Sequence, residues 1–207
     1  ARDRAGPPGS LSSARPSMND TRRRRLARLG MILGGLVAIG SLGLLYPQVR
    51  ASLAPVEPPP MRPPAEQADR VRVFKAARRL ELWQGDTQLA VYRISLGGAP
   101  AAGHKQREGD QRTPEGHYVL DWRNPRSIAH LSLHVSYPNA TDRAAAAQAG
   151  HDPGGAIMIH GLPNGWGWLG RLHRLHDWTD GCIAVTNDEM REIWARVPDG
   201  TAIEIRA

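Results

Sequence analysis

The chain has 207 residues, enough for one domain of ordinary size and a smaller segment. Its net charge of +7 is concentrated at the N-terminus, because residues 1–28 hold eight arginines against two aspartates and so contribute +6. Since everything after Arg28 sums to +1, the basic balance excludes nucleic acid as the expected partner of the globular part.

An uncharged, apolar run at residues 29–46 follows this basic region directly. At about 1.5 Å per residue, it is at the short end of what crosses a hydrocarbon core of about 30 Å. The arginines predict a cytoplasmic N-terminus with the remainder exported, and they disfavour the alternative of a buried helix. Met18 is a candidate start, which would give a signal-peptide pattern. We expect an inner-membrane anchor, or release after cleavage near Ala51, and a domain in the periplasm or cell envelope.

A proline-rich stretch separates the apolar run from the rest of the chain. Residues 47–68 contain the sequence APVEPPPMRPP, and prolines in this number favour an extended, semi-rigid linker of about 3.1 Å per residue. The linker is expected to hold a domain away from the membrane. The domain is predicted over residues 69–206, a length sufficient for a hydrophobic core.

The first part of this domain is rich in strand patterns. The sequence RVRVFKAARRLELWQGDTQLAVYRISLGG predicts two or three short strands, with a turn at Gly85-Asp86. The segment HYVLDW, residues 117–122, alternates again. In HLSLHVSY the apolar residues alternate with polar ones, which predicts a strand with His130 and His134 on its polar face.

The second part holds two further strands and the helices. AIMIHG is a continuous apolar run, typical of a strand covered on both faces, and GTAIEI predicts the last strand. Residues 186–197 predict a helix, because Thr186 and Glu189 form a capping box and apolar residues recur at helical spacing. TDRAAAAQ, residues 141–148, predicts a short surface helix. The fold is therefore predicted to be mostly β, of the α+β class, with a few short helices.

The only cysteine, Cys182, stands between a glycine and the strand-like sequence IAV. A lone exported thiol has no disulfide partner, and a buried cysteine often serves only as a small apolar residue. The sharp turn predicted here favours a different interpretation, because it would expose the sulfur and aim backbone N–H groups at a reacting carbonyl oxygen. His160, at the end of its own strand, is the candidate base.

A metal site is an alternative interpretation of the same residues. His160, His173, His176 and Cys182 together offer four ligands that zinc accepts. They lack the usual ligand spacings, and the Gly-Cys turn would have no role. His173 and His176, in LGRLHRLH, are instead predicted on the solvated face of one or two helical turns, and no metal is expected.

The motifs resemble those of the L,D-transpeptidase family with the YkuD-type catalytic domain. The sequence IHG at 159–161 and, after a loop, TDGCIAV at 179–185 match the family's His-Gly pair and Ser/Thr-x-Gly-Cys turn. HKQREGDQRTPEGHYVL, residues 104–120, and VSYPN match upstream family motifs. The resemblance covers nearly all of residues 69–206, and it implies a YkuD-like mixed β-sandwich or barrel.

The turn around the cysteine departs from the common family pattern. Asp180 stands where most members have histidine, Ala184 stands where an arginine is usual, and Gly161 replaces a serine found in some members. These features resemble a divergent branch that includes hydrolases of peptidoglycan-linked lipoprotein.

The resemblance implies a thioester mechanism that needs no cofactor. Cys182 would attack the carbonyl at the L-centre of diaminopimelate in a peptidoglycan stem peptide, with His160 as general base and acid. Backbone N–H groups near Gly181 and Cys182 would hold the oxyanion, and Thr179 and Gly161 would shape the turns. Since no serine follows His160, a backbone carbonyl is expected to orient it. The acyl group would pass to an amine in cell-wall remodelling.

Other residues and functions complete these expectations. The loop 162–178 is predicted to form a lid, in which Trp166 and Trp168 either line the peptide cleft or pack the loop onto the domain. Asp180 and Lys105 are further candidates for substrate binding, although Lys105 with Asp110 is expected mainly to organise a turn. A hydrolase using the same thioester, either an L,D-carboxypeptidase or an amidase releasing a wall-linked lipoprotein, is one alternative. A non-catalytic peptidoglycan-binding module is the second.

Overall fold

The computed structural model describes residues 31, 35, 49, 56–99 and 103–207. The predicted basic region 1–28, nearly all of the apolar run 29–46 and the start of the linker therefore lie outside the described residues. None of the helices formed by the described residues has the length and apolar character that crossing a membrane requires.

The described residues form one mixed sheet. Its strands are β1 (Arg70–Phe74), β2 (Arg79–Gln84), β3 (Thr87–Arg93), β4 (Gly116–Asn124), β5 (Ser132–Val135), β6 (Met158–His160), β7 (Ile183–Ala184) and β8 (Thr201–Arg206). Their spatial order is β3-β2-β1-β8-β4-β5-β6-β7. The pairs β1–β8 and β6–β7 are parallel and the other neighbours are antiparallel.

The last strand lies in the middle of the sheet. Strand β8 pairs with β1 on one side and with β4 on the other. Val71 and Val73 of β1 are fully buried beside Ile203 and Ile205 of β8, so the alternating pattern buries one face of both strands. The predicted turn between β2 and β3 is confirmed, with Gly85 in the left-handed region at φ +52°.

The sheet curls until its two ends meet. After β3 the chain runs on to Ser95, whose N–H donates to the Ala184 carbonyl at 2.9 Å while the Ala184 N–H donates back at 2.8 Å. A second bridge joins Gly97 to Thr179. The prediction of a mostly β fold with a few short helices is confirmed. The sheet is a half-barrel with β7 at one edge, and the bridge from Ser95 contacts that edge.

Two α-helices flank this sheet in the described part of the chain. Helix α1 (Ala140–Gln148) and helix α2 (Asn187–Arg196) both begin with complete capping boxes, in α2 from Thr186 and Glu189 as predicted. The buried face of α2 carries Met190, Ile193 and Trp194, and the helix contacts β5 and β6. Packing α2 here fixes the position of β6 in the sheet.

Strand β5 is shorter than its sequence pattern predicts. Leu131, Leu133, Val135 and Tyr137 are buried as expected, but only Ser132–Val135 is strand. His130 lies just before β5 with φ +64°, which is incompatible with extended backbone. His134 does lie on the more open face, where its Nδ1 contacts Asp121 Oδ1 at 2.6 Å.

The described second half of the linker lies against the domain. The Arg62 N–H donates to the Ala195 carbonyl at 2.7 Å, and the Ala68 N–H donates to the Arg196 carbonyl at 2.8 Å. Val56 packs against the core, and a 3-10 turn forms at Pro64–Glu66. Residues 56–68 therefore follow the end of α2 and do not project freely as a spacer.

Candidate active site

Cys182 lies at the turn that leads into β7. Gly181, just before it, has φ +123°, and a Cβ there would lie 2.5 Å from the Arg112 carbonyl oxygen. Only glycine can satisfy both conditions, because an L side chain disfavours this backbone conformation and would also overlap Arg112. The backbone therefore approaches the loop at Arg112 closely, directly beside the thiol.

The Thr179 hydroxyl holds this turn from both sides. Its Oγ1 donates to the Cys182 carbonyl at 2.7 Å and accepts from the Gly181 N–H at 3.2 Å. The predicted turn-shaping contact of Thr179 is therefore present. The Gly181 N–H donates to Thr179 in this structure, and the oxyanion contact expected from N–H groups near Gly181 and Cys182 stays a prediction. No hydrogen bond of the described residues engages the Cys182 N–H, which leaves it as the donor at this position.

His160 ends β6, and the parallel pairing of β6 with β7 brings it towards Cys182. Ile159 pairs with Ile183 and His160 pairs with Ala184, so Cys182 is diagonal to His160. Strands about 4.8 Å apart with a rise of about 3.3 Å per residue give a Cα separation of about 8 Å for such a diagonal pair. Paired residues project to the same face, so both side chains reach one cleft.

The carbonyl of Gly161 orients the His160 imidazole. Nδ1 of His160 lies 2.6 Å from this oxygen, and since a carbonyl can only accept, Nδ1 carries the proton and Nε2 is the free base. The expected backbone carbonyl partner is confirmed. Burial lowers the pKa of His160 below its ordinary value, and the Gly161 hydrogen bond opposes this only in part, so the imidazole is neutral.

Gly161 also allows the N-terminus of α2 to approach the loop. A Cβ at Gly161 would lie 2.7 Å from Asn187 Oδ1, and this oxygen accepts from the Leu162 N–H at 2.8 Å. Asn187 thus fixes the chain immediately after His160. Sequence reasoning missed this residue, because its only local signal was its place at the start of a helix.

The Cys182 thiol contacts the backbone that leads into β6. Sγ accepts from the Met158 N–H at 3.4 Å and donates to the Ala156 carbonyl at 3.6 Å. Burial is the largest effect on the thiol and raises its pKa. The Met158 N–H and the Lys105 ammonium lower the pKa, whereas the Asp180 carboxylate raises it, and the net result is a raised pKa. The resting sulfur is therefore protonated.

A cleft of about 360 Å³ joins the two side chains. Cys182, His160, Asp180 and Thr179 line it, together with Trp178 and the exposed Ile128. The Trp178 ring meets the His160 ring edge-on, with centroids 5.8 Å apart at 70°. Sequence reasoning overlooked Trp178 and Ile128, although Trp178 directly precedes the Thr-Asp-Gly-Cys turn.

The prediction of a solvated His173 is wrong. His173 is 6% exposed, and its Nδ1 lies 3.4 Å from the Trp178 indole nitrogen, which donates to it, and 3.3 Å from Ser95 Oγ. Burial, with a smaller effect of Arg174, lowers the pKa of His173 to about 4. His176, in contrast, is exposed as predicted. Within the described residues no group of three or more His, Cys, Asp or Glu side chains is arranged to hold a metal ion.

The geometry of the segment that carries His173 explains why this residue is buried instead of solvated. Gly167–Leu175 is 3-10 helical and is interrupted at Gly170, with φ 47° and ψ −127°. A 3-10 helix has three residues per turn, and the kink rotates the second half. The side chains of this segment therefore do not fall on the exposed and buried faces that a regular α-helix would give them.

The remaining predicted residues lie outside the lining of this cleft. Trp166 and Trp168 are exposed and stack on each other, with centroids 6.2 Å apart. Lys105 is buried, and its ammonium donates to Asp110 Oδ1 at 2.9 Å and to the Arg107 carbonyl at 3.0 Å. The predicted role of Lys105 and Asp110 in a turn is confirmed. Burial raises the pKa of Asp110, but backbone N–H groups and Lys105 outweigh this and lower it to about 2.

The family model of the L,D-transpeptidase catalytic domain, YkuD, matches residues 68–205. The chain belongs to the L,D-transpeptidase family. It is 33% identical over 134 residues to "Putative L,D-transpeptidase YafK" of Escherichia coli (strain K12), an alignment that covers 60% of this chain and 45% of YafK. This L,D-transpeptidase domain thus spans less than half the length of that relative.

A solved structure of similar fold is that of the helical cell shape determining protein Pgp2 from Campylobacter jejuni. The TM-score is 0.51 at 25% identity, covering 66% of this chain and 46% of Pgp2. The L,D-transpeptidase family acts on peptidoglycan stem peptides and is typical of the cell envelope.

Proposed function

We propose that this domain is a cysteine-dependent L,D-transpeptidase that acts on peptidoglycan stem peptides at the L-centre of diaminopimelate. One observation carries the proposal. The lone thiol and a neutral imidazole with a free Nε2 line the same cleft, each fixed by neighbouring backbone. Such a pair supplies a nucleophile and a base within one site.

In the first half-reaction the thiol proton moves to Nε2 of His160 as Sγ bonds to the substrate carbonyl carbon. The carbonyl oxygen becomes an oxyanion, which accepts from the Cys182 N–H. Collapse of this intermediate breaks the carbon–nitrogen bond to D-alanine, whose amine takes the proton from Nε2. A thioester on Cys182 and free D-alanine are the products.

In the second half-reaction an acceptor amine attacks the thioester carbonyl and gives a proton to Nε2. The carbon–sulfur bond then breaks, and the sulfur recovers its proton from His160. Water in place of the amine turns the same enzyme into a hydrolase, an L,D-carboxypeptidase or an amidase that releases a wall-linked lipoprotein. The second candidate is this hydrolase, and it is favoured by the departures of Asp180 and Ala184 from the common family pattern.

Defined muropeptides test both candidates in one experiment. The full chain is incubated with a stem tetrapeptide, with and without an acceptor amine, and the products are identified by mass. Transpeptidation yields a cross-linked product that requires the amine, whereas hydrolysis yields the tripeptide in both cases. Binding of the tetrapeptide without any turnover would instead favour a non-catalytic peptidoglycan-binding module.

Variants assign the two roles. Cys182→Ala is expected to abolish turnover with little effect on the fold, and His160→Ala to reduce turnover by about a hundredfold or more through loss of the base. His151→Ala, an exposed histidine outside the cleft, is the matched control and should behave as wild type. Turnover that persists in Cys182→Ala would contradict the mechanism.

The same proposal includes a place in the cell and a domain order. Residues 1–28 form a cytoplasmic basic region, residues 29–46 an inner-membrane anchor or a signal segment removed near Ala51, residues 47–68 a linker, and residues 69–206 the catalytic domain. The support is the arginine cluster before an uncharged apolar run. Detection of the intact N-terminus in the membrane fraction distinguishes the anchor from the cleaved form.

A further inference from the structure

The Trp178 indole contacts two imidazole rings, that of the proposed base and that of a histidine which the mechanism does not use. It meets the His160 ring with centroids 5.8 Å apart at 70°, and the His173 ring with centroids 6.3 Å apart at 85°. Both contacts are edge-to-face, an arrangement that aromatic rings prefer to direct stacking. A change in the orientation of the indole therefore reaches the proposed base directly.

The hydrogen bonds of His173 define its tautomer and leave one nitrogen without a partner. The Trp178 indole N–H can only donate, and it lies 3.4 Å from Nδ1 of His173, so Nδ1 is unprotonated and Nε2 carries the proton. Nε2 is buried, and none of the described residues offers it a hydrogen-bond partner. A buried donor without a partner is unfavourable and uncommon. An apolar side chain would avoid this cost, so the Nδ1 acceptor, and not packing alone, accounts for a histidine here.

Ser95 fixes the segment that carries His173. Its Oγ donates to the His173 carbonyl at 3.2 Å. Its backbone forms a bridge with Ala184, and Ala184 is paired with His160. This bridge therefore holds His173, which belongs to a segment of 3-10 geometry, beside the row of residues that contains the proposed base.

The His160 ring needs a support besides its own hydrogen bond. The Gly161 carbonyl fixes Nδ1, but the torsion that sets the tilt of a histidine ring is broad, and one hydrogen bond leaves that tilt open. The edge-to-face contact with Trp178 restricts it. Catalytic groups must lie within about 0.5 Å and about 10–20° of the productive geometry, so this contact bears directly on proton transfer from Sγ to Nε2.

We propose that Trp178 and His173 are positioning residues for the reaction at Cys182. His173 fixes the Trp178 indole through its N–H, and the indole sets the tilt of the His160 imidazole. This inference rests on the proposed function, because it concerns the base of the same reaction. His173 is not among the residues that line the cleft, so it acts through Trp178 and not on the substrate.

Two replacements of His173 test this role in the full chain with the stem tetrapeptide. His173→Leu removes the acceptor and is expected to lower kcat about tenfold or more, while KM changes by less than about twofold. His173→Asn should recover most of the kcat, because its Oδ1 lies close to the place of Nδ1 and accepts from the indole N–H. His176→Leu, at an exposed position of the same segment, is the matched control and should keep the wild-type kcat.

Trp178→Phe is a second route to the same loss, should His173→Leu fail to fold. It keeps an aromatic ring beside His160 and removes the indole N–H, so its kcat is also expected to fall. A kcat that stays within about twofold of wild type in the variants that fold, or a loss that His173→Asn does not recover, would overturn the positioning role.

Nuclear magnetic resonance separates this inference from the proposed function, because it needs no turnover. The carbon-bound ring protons of His160, assigned by their loss in His160→Ala, lie beside the indole and report its orientation through the ring current. His173→Leu should move these signals, and His173→Asn should return them towards wild type. Signals that behave in this way in a protein without turnover contradict the proposed function and support the positioning role. Turnover by wild type together with unmoved His160 signals in His173→Leu contradicts the positioning role alone.

Discussion

Replacing Thr179 by valine is expected to weaken the turn that carries Cys182 while leaving its packing nearly unchanged. Thr179 is buried, and its hydroxyl bonds both the Cys182 carbonyl and the Gly181 N–H. Valine has the same shape without these bonds, so one carbonyl and one N–H lose their partner. An unsatisfied buried polar group costs about 1–3 kcal/mol. The two together should lower the free energy of unfolding by about 2–6 kcal/mol.

Scanning calorimetry measures this loss directly. A loss of this size corresponds to a fall in Tm of about 6 °C or more for a domain of this length. Thr179→Ser keeps the hydroxyl and is the control, with a Tm close to wild type. The same variants are tested for turnover of the stem tetrapeptide, where a displaced Cys182 N–H should cost Thr179→Val about tenfold or more. A Tm within about 2 °C of wild type would refute the assigned role of the hydroxyl.

Three further perturbations test the charges and the placement of the domain. Asp180→Asn should shift the alkylation rate of Cys182 to lower pH, because the Asp180 carboxylate raises the pKa of the thiol; superimposable rate curves would remove Asp180 from the explanation. The free energy of unfolding should fall by up to about 3 kcal/mol between about pH 6.5 and about pH 4, because the unfolded chain gains a proton that buried His173, with a pKa of about 4, does not. His173→Gln should reduce that dependence in urea titrations, while buried His160, whose pKa is also lowered, keeps part of it; an unchanged slope would contradict the assignment to His173. A reporter that works only in the periplasm, fused after Ala207, should be active, whereas activity of a cytoplasmic reporter would overturn the predicted export.

Elements with strong local signals were predictable from the sequence. Helix α2 begins where the capping box of Thr186 and Glu189 predicts, because a cap satisfies backbone donors that belong to that turn alone. The hairpin of β2 and β3 follows from Gly85, which supplies the positive φ of the turn. The orientation of His160 by a backbone carbonyl was also predictable, since Gly161 leaves no side chain for that task.

Features that depend on distant pairings were not predictable in the same way. The half-barrel closes through Ser95 and Ala184, which are 89 positions apart and form only an isolated bridge. No periodicity marks such a contact. The position of β8 between β1 and β4 likewise depends on pairings with both ends of the domain. Trp178 and Ile128 reach the cleft because of these contacts, so the local sequence does not identify them as lining residues.

The balance of charges at Cys182 shows why the protonation state of the pair also required the structure. In the sequence Asp180 is the charged residue closest to Cys182, and its carboxylate by itself would raise the pKa of the thiol. In the structure burial is the larger cause, and Lys105, 77 positions away, opposes Asp180. Burial also keeps His160 neutral. Both shifts disfavour a thiolate–imidazolium pair, because each charged form loses solvation in the same buried site. In the proposed mechanism the proton would therefore leave Sγ as the sulfur attacks, when the oxyanion would gain its hydrogen bond from the Cys182 N–H. The proposed mechanism thus makes the turn that Gly181 and Thr179 set matter to catalysis through the position of that N–H, which the Thr179→Val variant tests.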